Sequence, residues 1–496
     1  MILVVKKFLA RARRAQKISL KFYNTLGRTL QPFTLPPHVR TVRMYNCGPT
    51  VYGTQHIGNL SMFVFTDVLR RTLEYAGFPV KQVINITDFG HLVSDADQGE
   101  DKMTKGLKRE GLALTMENMT TMAERYTRIF LEDLRRLNID ISRIEFPRAS
   151  AYVPVQIAMI QTLIEKSYAY QAAGGVYYDT SRFPEYGILG SPSTKDNEDK
   201  SIPRVAFNPE KHNPSDFLLW KSDDTMGWES PWGKGFPGWH IECSAMARAL
   251  LGEQIDIHTG GIEHIPIHHN NEIAQSEAAT GKKPFSRFWI HRAHIQIDGG
   301  KIAKSDGNVV YLSEVIERGF HPTALRYLFL GAHYRTNANF SWESLAASQT
   351  ALLRLFALRL SIKDDPAQAP STWMKKFRER IEDDVDTPGA LAVLWEMTKD
   401  TALAQGELLA GLLEMDKIFG LTLDDPDNDL RIRASVLIKN PIALESLSSE
   451  IRTLIDERQQ ARADHRFDHA DTLRTQIEKL GFTLEDANGE VRVFKI

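Results

Sequence analysis

The rare cysteines of this chain are candidate metal ligands. The 496 residues include two cysteines, Cys47 at the end of a predicted strand and Cys243 among other ligand-capable groups. His268 and Glu272 are four residues apart, so on a helix both project from one face and can hold one ion. Two thiolates, an imidazole and a carboxylate form a plausible zinc set. The alternative, that both cysteines are small buried hydrophobic residues, stays open because these ligands are scattered along the chain.

Two other segments carry groups that suit phosphate. His56, Gly58 and Asn59 stand at the start of a predicted helix, where N–H groups and the helix dipole favour an anion. Lys301 and Lys304 belong to a glycine-flanked loop, and two ammonium groups suit the charge on a leaving pyrophosphate. Neither segment identifies the chemistry alone. The first could equally be an ordinary helix cap, and the second an exposed basic turn.

The elements around these residues predict a parallel sheet. Two strand–helix–strand units are predicted, over 41–47, 57–76 and 79–87, and over 253–259, 269–280 and 288–297. Each is a βαβ unit, which implies parallel strands, and ligands bind such sheets at the carboxyl ends of the strands. We therefore predict an α/β fold with a doubly wound (Rossmann-type) parallel-sheet catalytic domain.

The rest of the chain predicts further parts around that domain. An insertion at about 120–225 mixes helices with a strand. Amphipathic helices are predicted over 348–360, 373–383 and 388–409. The tail predicts two helices, 447–464 and 467–480, and a hairpin over 482–494 that turns at Asn488-Gly489. The predicted divisions are a basic extension 1–21, a catalytic domain 22–345, a helical bundle 346–436 and a C-terminal α+β domain 437–496.

Composition limits the possible class of protein. A hydrophobic fraction of 42% and a charged fraction of 25% exclude a disordered, collagenous or coiled-coil protein. The formal net charge of -2 means that any nucleic acid must be held by a local basic patch. Two cysteines suit a reducing compartment, and no apolar run is long enough to span a bilayer. We expect a cytoplasmic protein with no membrane partner.

The N-terminus has a different composition from the rest. Residues 1–28 carry eight basic side chains and no acid. Such a segment can be a disordered or incidental extension, an arm that contacts RNA, or an organelle transit peptide. All three interpretations stay open.

Several segments together closely resemble the cysteinyl-tRNA synthetase family of class I aminoacyl-tRNA synthetases. The matching segments are 44–52, 56–59, 85–88, 239–246, 268–276 and 301–305. Segment 56–59 resembles the family's HIGH signature and 301–305 resembles its KMSKS loop. The resemblance runs from Phe22 to the C-terminus. It implies one zinc ion, held by Cys47, Cys243, His268 and Glu272.

The resemblance also implies a reaction and the residues that serve it. Cysteine would be activated with ATP and magnesium to cysteinyl-adenylate and then transferred to the terminal adenosine of tRNA-Cys. Zinc would select the thiol, because a serine hydroxyl stays protonated and is a poor ligand. The implied catalytic residues are His56, Lys301 and Lys304. The implied ATP contacts are Pro49, His56, Gly58, Asn59 and Lys304, and the implied amino-acid contacts are Gly48, Thr87 and Trp239.

The tail would recognise the anticodon on this resemblance, and we expect a monomer. Its basic residues are Arg452, Arg458, Arg462, Arg466, Arg474 and Lys479. Local positive charge of this kind suits RNA. Acidic residues are interleaved with the basic ones, so an ordinary solvated helix face is the alternative.

The chain departs from the family's motifs at three positions. HIGH reads HIGN, so Asn59 can donate to phosphate but carries no charge. KMSKS reads KIAKS, with Ala303 in the middle, and Asn270 occupies a non-ligand position in the zinc segment. Two rivals remain: a relative that passes activated cysteine to an amino sugar, and a catalytically silent RNA-binding protein stabilised by zinc. The developed tail argues against the first, and the retained His56 and lysines argue against the second.

Overall fold

The structure is a computed structural model of the 496-residue chain. It describes residues 19–89, 102–190, 209–297, 300–301, 309–425, 429–435, 442, 444–464, 466–487 and 490–495. Segment 302–308, with Ala303 and Lys304, lies outside the described residues, as do residues 1–18 of the basic extension.

Strands and helices alternate through the first two-thirds of the described chain. The strands are β1 (Lys21–Asn24), β2 (Thr29–Pro32), β3 (Val42–Asn46), β4 (Val80–Ile84), β5 (Ile144–Glu145), β6 (Ala169–Ala172), β7 (Gly175–Tyr178), β8 (Phe217–Ser222), β9 (Gly235–Pro237), β10 (Ile255–Gly261), β11 (Ser286–Arg292), β12 (Ile295–Ile297), β13 (Gly300–Lys301), β14 (Ala338–Phe340), β15 (Phe482–Ala487) and β16 (Glu490–Lys495). The helices are α1 (Ile57–Tyr75), α2 (Lys102–Arg109), α3 (Met116–Arg136), α4 (Val153–Glu165), α5 (Trp239–Leu251), α6 (His268–Thr280), α7 (Leu312–Glu317), α8 (Pro322–Leu330), α9 (Trp342–Ser361), α10 (Ser371–Glu382), α11 (Thr387–Met397), α12 (Gln405–Phe419), α13 (Asp429–Ser435), α14 (Ser449–Ala463) and α15 (Phe467–Lys479).

β3 lies at the centre of a five-stranded sheet with the order β11-β10-β3-β4-β5. Every neighbouring pair in this sheet is parallel, and the register places Val42 beside Val80 and Met44 beside Ile257. α1 connects β3 to β4, and α6 connects β10 to β11. The carboxyl ends of β3, β4 and β10 therefore meet at one edge, which is where a doubly wound sheet binds its ligands. The predicted parallel-sheet α/β fold is confirmed.

The single strand predicted over 288–297 is wrong, because the structure divides it in two. β11 ends at Arg292, and the Ala293 N–H donates to the Tyr334 carbonyl at 2.8 Å. This contact turns the chain out of the parallel sheet, and β12 then pairs with β14 in a separate three-stranded sheet. Apolar residues recur on both sides of the bend, so the sequence pattern does not reveal it.

The single helix predicted over 388–409 is also two helices. α11 ends at Met397, and α12 begins at Gln405. Between them the Asp400 carboxylate accepts hydrogen bonds from the Ala402 N–H at 3.0 Å and the Trp373 Nε1–H at 2.8 Å. An aspartate that bonds to a nearby backbone N–H favours a turn over a continuing helix.

The insertion supports the central sheet from one side. It contains α4 and strands β6, β7 and β8, and β9 just beyond its predicted end completes an antiparallel sheet of order β6-β7-β8-β9. Ile160 and Leu163 of α4, Trp220 of β8 and Ile241 of α5 are buried in one hydrophobic core. The insertion therefore fixes α5, the helix that carries Trp239 and Cys243.

The chain forms two compact units. The first comprises Met1–Thr350 and Asp364–Asp424, so α10, α11 and α12 belong to the same unit as the parallel sheet. The second comprises Ala351–Lys363 and Asp425–Ile496. The domain boundaries near residues 346 and 437 stay predictions.

Within the second unit, two helices and a hairpin enclose a small core. β15 and β16 pair antiparallel, with Phe482 opposite Lys495. The core residues are Leu447, Ile451, Ile455, Ile477, Leu484 and Val493. The predicted pair of helices and hairpin is confirmed, and the predicted turn Asn488-Gly489 lies outside the described residues.

Among the described helices, none is both long enough and apolar enough to cross a membrane.

Candidate active site

Cys47 and Gly48 follow β3 at the carboxyl edge of the sheet. The Cys47 N–H donates to the Thr259 carbonyl at 3.1 Å, which joins the ends of β3 and β10. A Cβ atom on Gly48 would lie 1.6 Å from the Asn85 carbonyl oxygen, so a larger residue cannot fit. The Gly48 N–H donates to Asn85 Oδ1 at 2.8 Å. This close approach of two backbones sets the position of Cys47.

α6 brings three further ligand-capable side chains to Cys47. One ligand atom from each of Cys47, His268, His269 and Glu272 lies within 4.8 Å of the others, and all four residues are buried. A sulfur, two imidazole nitrogens and a carboxylate oxygen at these separations could hold a metal ion. The donor set thus fits a metal by chemistry and by spacing.

Cys243 contacts this group of four without being one of its members. The Cys243 sulfur accepts a hydrogen bond from the Cys47 thiol, which lowers the pKa of Cys243 to about 6, whereas burial raises the pKa of Cys47. His268 also donates to the Cys243 sulfur. The predicted ligand set and the observed group therefore share Cys47, His268 and Glu272, and Cys243 lies directly beside them.

Two imidazoles form close contacts with the Glu272 carboxylate. His258 Nε2 lies 2.9 Å from Glu272 Oε2, and His268 Nε2 lies 3.0 Å from Oε1. Burial raises the pKa of a carboxyl group, but the two histidines outweigh it and hold the pKa of Glu272 well below its usual range. The pKa of His268 is raised to about 10, since Glu272 outweighs the opposing effect of burial. The carboxylate is therefore ionised and ready to act as a ligand.

Buried histidines form a chain of contacts behind the metal-binding group. His269 Nε2 lies 3.3 Å from Cys47 Sγ, and His269 Nδ1 lies 2.7 Å from His291 Nε2. His291 Nδ1 lies 2.7 Å from Thr25 Oγ1. Contacts of this kind fix the orientation of residues around a metal. No role was predicted for His258, His269 or His291. His258 and His291 lie alone in their strands, and although His269 directly follows His268, the sequence does not show that its ring faces Cys47 and His291.

A cavity of about 510 Å³ opens over this group. Its lining includes most of the predicted site residues, namely Cys47, Gly48, Pro49, His56, Gly58, Asn59, Trp239, Cys243 and His268. The Trp239 ring stacks on His268 at a centroid distance of 4.2 Å, and Lys102 Nζ lies 5.3 Å from the centre of the Trp239 ring. The predicted metal-binding segments and the segment 56–59 therefore share one cavity.

The N-terminus of α1 forms another wall of the cavity. His56 caps the helix, and its Nδ1 accepts a hydrogen bond from the Asn59 N–H at 3.3 Å. The first turn of α1 holds no acidic residue. The positive end of the helix dipole is thus uncompensated by a carboxylate there, which favours a bound anion.

Comparison with known proteins decides the family. Residues 34–350 match a family profile described as tRNA synthetases class I (C) catalytic domain, and residues 444–493 match one described as Cysteinyl-tRNA ligase anticodon binding domain. The chain belongs to the cysteinyl-tRNA synthetase family. The resemblance seen in the motifs is therefore confirmed over residues 34–350 and 444–493.

Relatives of the same family match almost end to end. The cysteine–tRNA ligase of Treponema denticola is 39% identical over 95% of this chain and 99% of its own length. The cysteine–tRNA ligase 1 of Burkholderia lata is 41% identical over 96% of this chain and 97% of its own. A solved structure of the Mycobacterium tuberculosis methionyl-tRNA synthetase in complex with methionyl-adenylate covers 84% of this chain and 96% of that chain, with 13% identity and a TM-score of 0.51. That likeness concerns the fold alone.

Thr87 is not part of the cavity lining. Thr87 is buried, and its Oγ1–H donates to Glu242 Oε2 at 2.8 Å. Burial raises the pKa of Glu242 well above its usual range. The backbone of Lys301 belongs to β13, and Lys304 lies outside the described residues. The roles predicted for Thr87, Lys301 and Lys304 stay predictions.

Proposed function

We propose that the chain is a cysteine–tRNA ligase. It activates cysteine with ATP and magnesium to cysteinyl-adenylate, and it transfers the cysteinyl group to the terminal adenosine of tRNA-Cys. The observation that carries this proposal is a buried group of metal-binding side chains, of which Cys47 and His268 line a cavity whose wall includes the N-terminus of α1. One cavity thereby offers a site for a thiol beside a site for a phosphate.

Zinc held by Cys47, Cys243, His268 and Glu272 is our proposal for the metal. Cysteine and serine differ by one atom, and an apolar pocket discriminates such a change by only about 1–3 kcal/mol. Bound zinc supplies strong preference for a thiolate over a protonated hydroxyl. His269, tied to His291 on its other nitrogen, then serves to orient Cys47.

The chain's own residues hold the reactants in this proposal. His56 and Asn59 contact the phosphates at the helix N-terminus, while Gly48, Thr87 and Trp239 shape the amino-acid pocket. The cysteine carboxylate oxygen attacks the α-phosphorus, and the bond to the pyrophosphate oxygen breaks with its electron pair. In the second step a terminal adenosine hydroxyl attacks the carbonyl carbon, AMP leaves and the hydroxyl proton passes to solvent.

In that first step Lys301 and Lys304 are proposed to stabilise the charge on the departing pyrophosphate. A lysine ammonium placed where charge develops lowers the barrier to transfer. The proposal for these two residues rests on the resemblance of the loop to KMSKS.

Anticodon recognition by the second unit is the matching proposal for tRNA. Exposed basic residues on and next to α14 and α15 include Arg452, Arg462, Arg466, Arg474 and Lys479. The predicted basic residue Arg458 does not belong with them, because its side chain is buried. The match of 444–493 to an anticodon binding domain supports this assignment.

Charging of tRNA tests the function directly. Purified chain, ATP, magnesium, labelled cysteine and total tRNA should produce acid-precipitable label, and metal analysis should find about one zinc per chain. Transfer to an amino sugar in place of tRNA would favour the first rival. Absence of cysteine-dependent ATP–pyrophosphate exchange from the folded, zinc-loaded protein would contradict activation altogether and favour the silent relative.

We also infer a monomeric, cytoplasmic enzyme. The two buried cysteines are unpaired, as expected for a reducing compartment. Sedimentation at micromolar concentration should give the mass of one chain, and a dimer mass would contradict the oligomeric state.

A further inference from the structure

Arg292 is a buried arginine in the wall of the active-site cavity. It is the last residue of β11, only 5% of its surface is exposed, and it lines the cavity. Its Nε–H donates to Ser61 Oγ at 3.0 Å, and its Cζ lies 5.9 Å from the centre of the Phe329 ring. Neither contact supplies a negative charge.

The lack of a carboxylate partner distinguishes Arg292 from the other fully buried arginines of the first unit. Arg70 and Arg326 both form ion pairs with Asp67. Within the described part of the chain, no carboxylate forms an ion pair with Arg292. Burial of an unpaired charge is strongly unfavourable. A charge kept in a cavity at that cost is best explained by an anionic ligand that enters the cavity.

The guanidinium retains its positive charge where it lies. Burial lowers the pKa of Arg292 to about 10, which still leaves the group protonated at neutral pH. Its Nε is engaged by Ser61, so the two terminal nitrogens are the donors that can serve a ligand in the cavity. Two parallel N–H groups of this kind match the spacing of two phosphoryl oxygens.

Arg292 is tethered to the helix turn that holds the phosphate-binding signature. The Ser61 hydroxyl that accepts from Arg292 donates in turn to the Gly58 carbonyl at 2.7 Å. His56, Gly58, Asn59, Ser61 and Arg292 all line the same cavity. Asn59 in this turn has an uncharged amide side chain, so it offers no positive charge to an anion. The charged group that contacts the turn is Arg292, on the neighbouring strand.

We propose that Arg292 is a phosphate-binding residue, whose guanidinium contacts the ATP phosphates beside α1 and supplies the charge that Asn59 lacks. This inference rests on the proposed function, since it assigns the residue to the activation step. When the cysteine carboxylate oxygen bonds to the α-phosphorus, the bond to pyrophosphate breaks and that oxygen takes the electron pair. The guanidinium gives or takes no proton and stabilises the negative charge on the phosphoryl oxygens.

Steady-state ATP–pyrophosphate exchange tests the assignment. Arg292→Gln should lower kcat/KM for ATP by about 10- to 100-fold, while KM for cysteine stays within about twofold of wild type. Arg292→Lys keeps the charge but lacks the planar guanidinium with its two parallel N–H groups. Its kcat/KM for ATP should therefore lie between those of wild type and Arg292→Gln. Arg287→Gln is the matched control on the same strand, because Arg287 pairs with Asp256 outside the cavity lining. Its ATP kinetics should match wild type.

Rescue separates a phosphate-binding role from a structural one. Adding Asn59→His to Arg292→Gln should recover activation by about tenfold or more, because the imidazolium returns charge to the same turn. A structural arginine would not be replaced from another element. Unchanged ATP kinetics in Arg292→Gln would overturn the proposal. A rise in KM for cysteine alone would also overturn it, and would assign the guanidinium to the amino-acid carboxylate.

Thermal unfolding gives a direct readout of ATP binding that does not depend on turnover. ATP should raise the Tm of the wild-type chain and raise that of Arg292→Gln much less. If Arg292→Gln does not fold, Arg292→Lys replaces it, and unaltered ATP kinetics together with an unaltered Tm shift would overturn the proposal. Wild-type protein that binds ATP without cysteine-dependent exchange would contradict the proposed function. Normal exchange by the wild-type chain, together with Arg292 variants that match it in ATP kinetics and Tm shift, would contradict only the role of Arg292.

Discussion

Two buried cysteines, Cys47 and Cys243, both line the cavity. The Cys47 thiol donates to the Cys243 sulfur, and His268 contacts the same sulfur. A serine in place of Cys243 keeps the size of the side chain but is a poor metal ligand, because its hydroxyl stays protonated. Cys243→Ser should therefore lose bound zinc and lower cysteine-dependent ATP–pyrophosphate exchange by more than about 100-fold.

Ala247→Ser is the control for that substitution. Ala247 is buried on the same helix, α5, one turn from Cys243, so it tests the effect of a buried hydroxyl alone. Its metal content should equal that of wild type. Wild-type exchange rates in Cys243→Ser would rule out Cys243 as a ligand and leave the group of four with His269 as the metal site.

Gly48 gives a second test at the scale of one residue. Gly48→Ala would place a carbon 1.6 Å from the Asn85 carbonyl oxygen, and both backbones would have to separate. We expect a loss of about 3 kcal/mol in the free energy of unfolding, together with weaker metal binding through Cys47. Gly77→Ala should lose only about 1 kcal/mol, since Gly77 has a φ of +88° but open space around its Cβ position. Equal losses, measured by urea unfolding, would contradict the steric explanation.

At the scale of elements, one carboxylate joins the phosphate-binding helix to its neighbours. Asp67 of α1 pairs with Arg70, Arg71 and Arg326. The Arg326 Nε–H also donates to the Phe419 carbonyl at 2.6 Å, so α1, α8 and α12 are connected. Burial opposes ionisation, but the three arginines outweigh it and lower the pKa of Asp67 to about 2 from 3.8.

Asp67→Asn should therefore destabilise the protein in a manner that depends on pH. Removing the carboxylate leaves buried guanidinium groups without a counter-charge, and we expect a loss of about 3 kcal/mol at neutral pH. The carboxylate's contribution is present in full above its ordinary pKa and is lost as pH falls through about 2. The difference between wild type and variant should thus shrink by about 2 kcal/mol between about pH 5 and pH 2.

Glu379→Gln is the matched control for this change of carboxylate to amide. Glu379 forms an exposed pair with Lys375, so its removal should change stability by less than about 1 kcal/mol at any pH. Urea unfolding across the pH range measures both variants. A constant difference between Asp67→Asn and wild type down to the lowest pH would show that the ion pairs do not carry the stabilisation.

At the scale of the whole molecule, activation and tRNA recognition are assigned to different units. Arg466 is an exposed residue of the second unit and pairs with Asp464 at 2.8 Å. Arg466→Glu should raise KM for tRNA in the charging reaction by about tenfold. The slope of log KM for tRNA against log salt concentration should fall by about one, as expected for the loss of one phosphate contact. Exchange without tRNA should stay at the wild-type rate, because the cavity belongs to the first unit.

Lys375→Glu reverses an exposed charge in the first unit and should leave charging unaltered. Equal increases in KM for tRNA in Arg466→Glu and Lys375→Glu would indicate that the overall charge of the protein, and not Arg466 itself, affects tRNA binding. A wild-type KM for tRNA in Arg466→Glu at low salt would exclude Arg466 from the RNA-binding surface.

The sequence alone was sufficient for the parallel sheet, the family and several residues of the cavity lining. Helix and strand periods act over short distances, so β3, α1, β4 and α6 were predicted nearly to their ends. The signature segments pointed to Cys47, His56 and Trp239 as site residues, and these three residues line one cavity. Local patterns fixed these features because each depends on neighbours in the chain.

Only the tertiary structure decided what surrounds those residues. The break after Arg292 depends on a hydrogen bond to Tyr334, and the contact of His269 with His291 joins a helix to a strand. The absence of a carboxylate beside Arg292 within the described residues is equally invisible in the sequence. Burial and counter-charges are set by groups that are distant in the chain and close in space, and no spacing rule in one sequence contains that information.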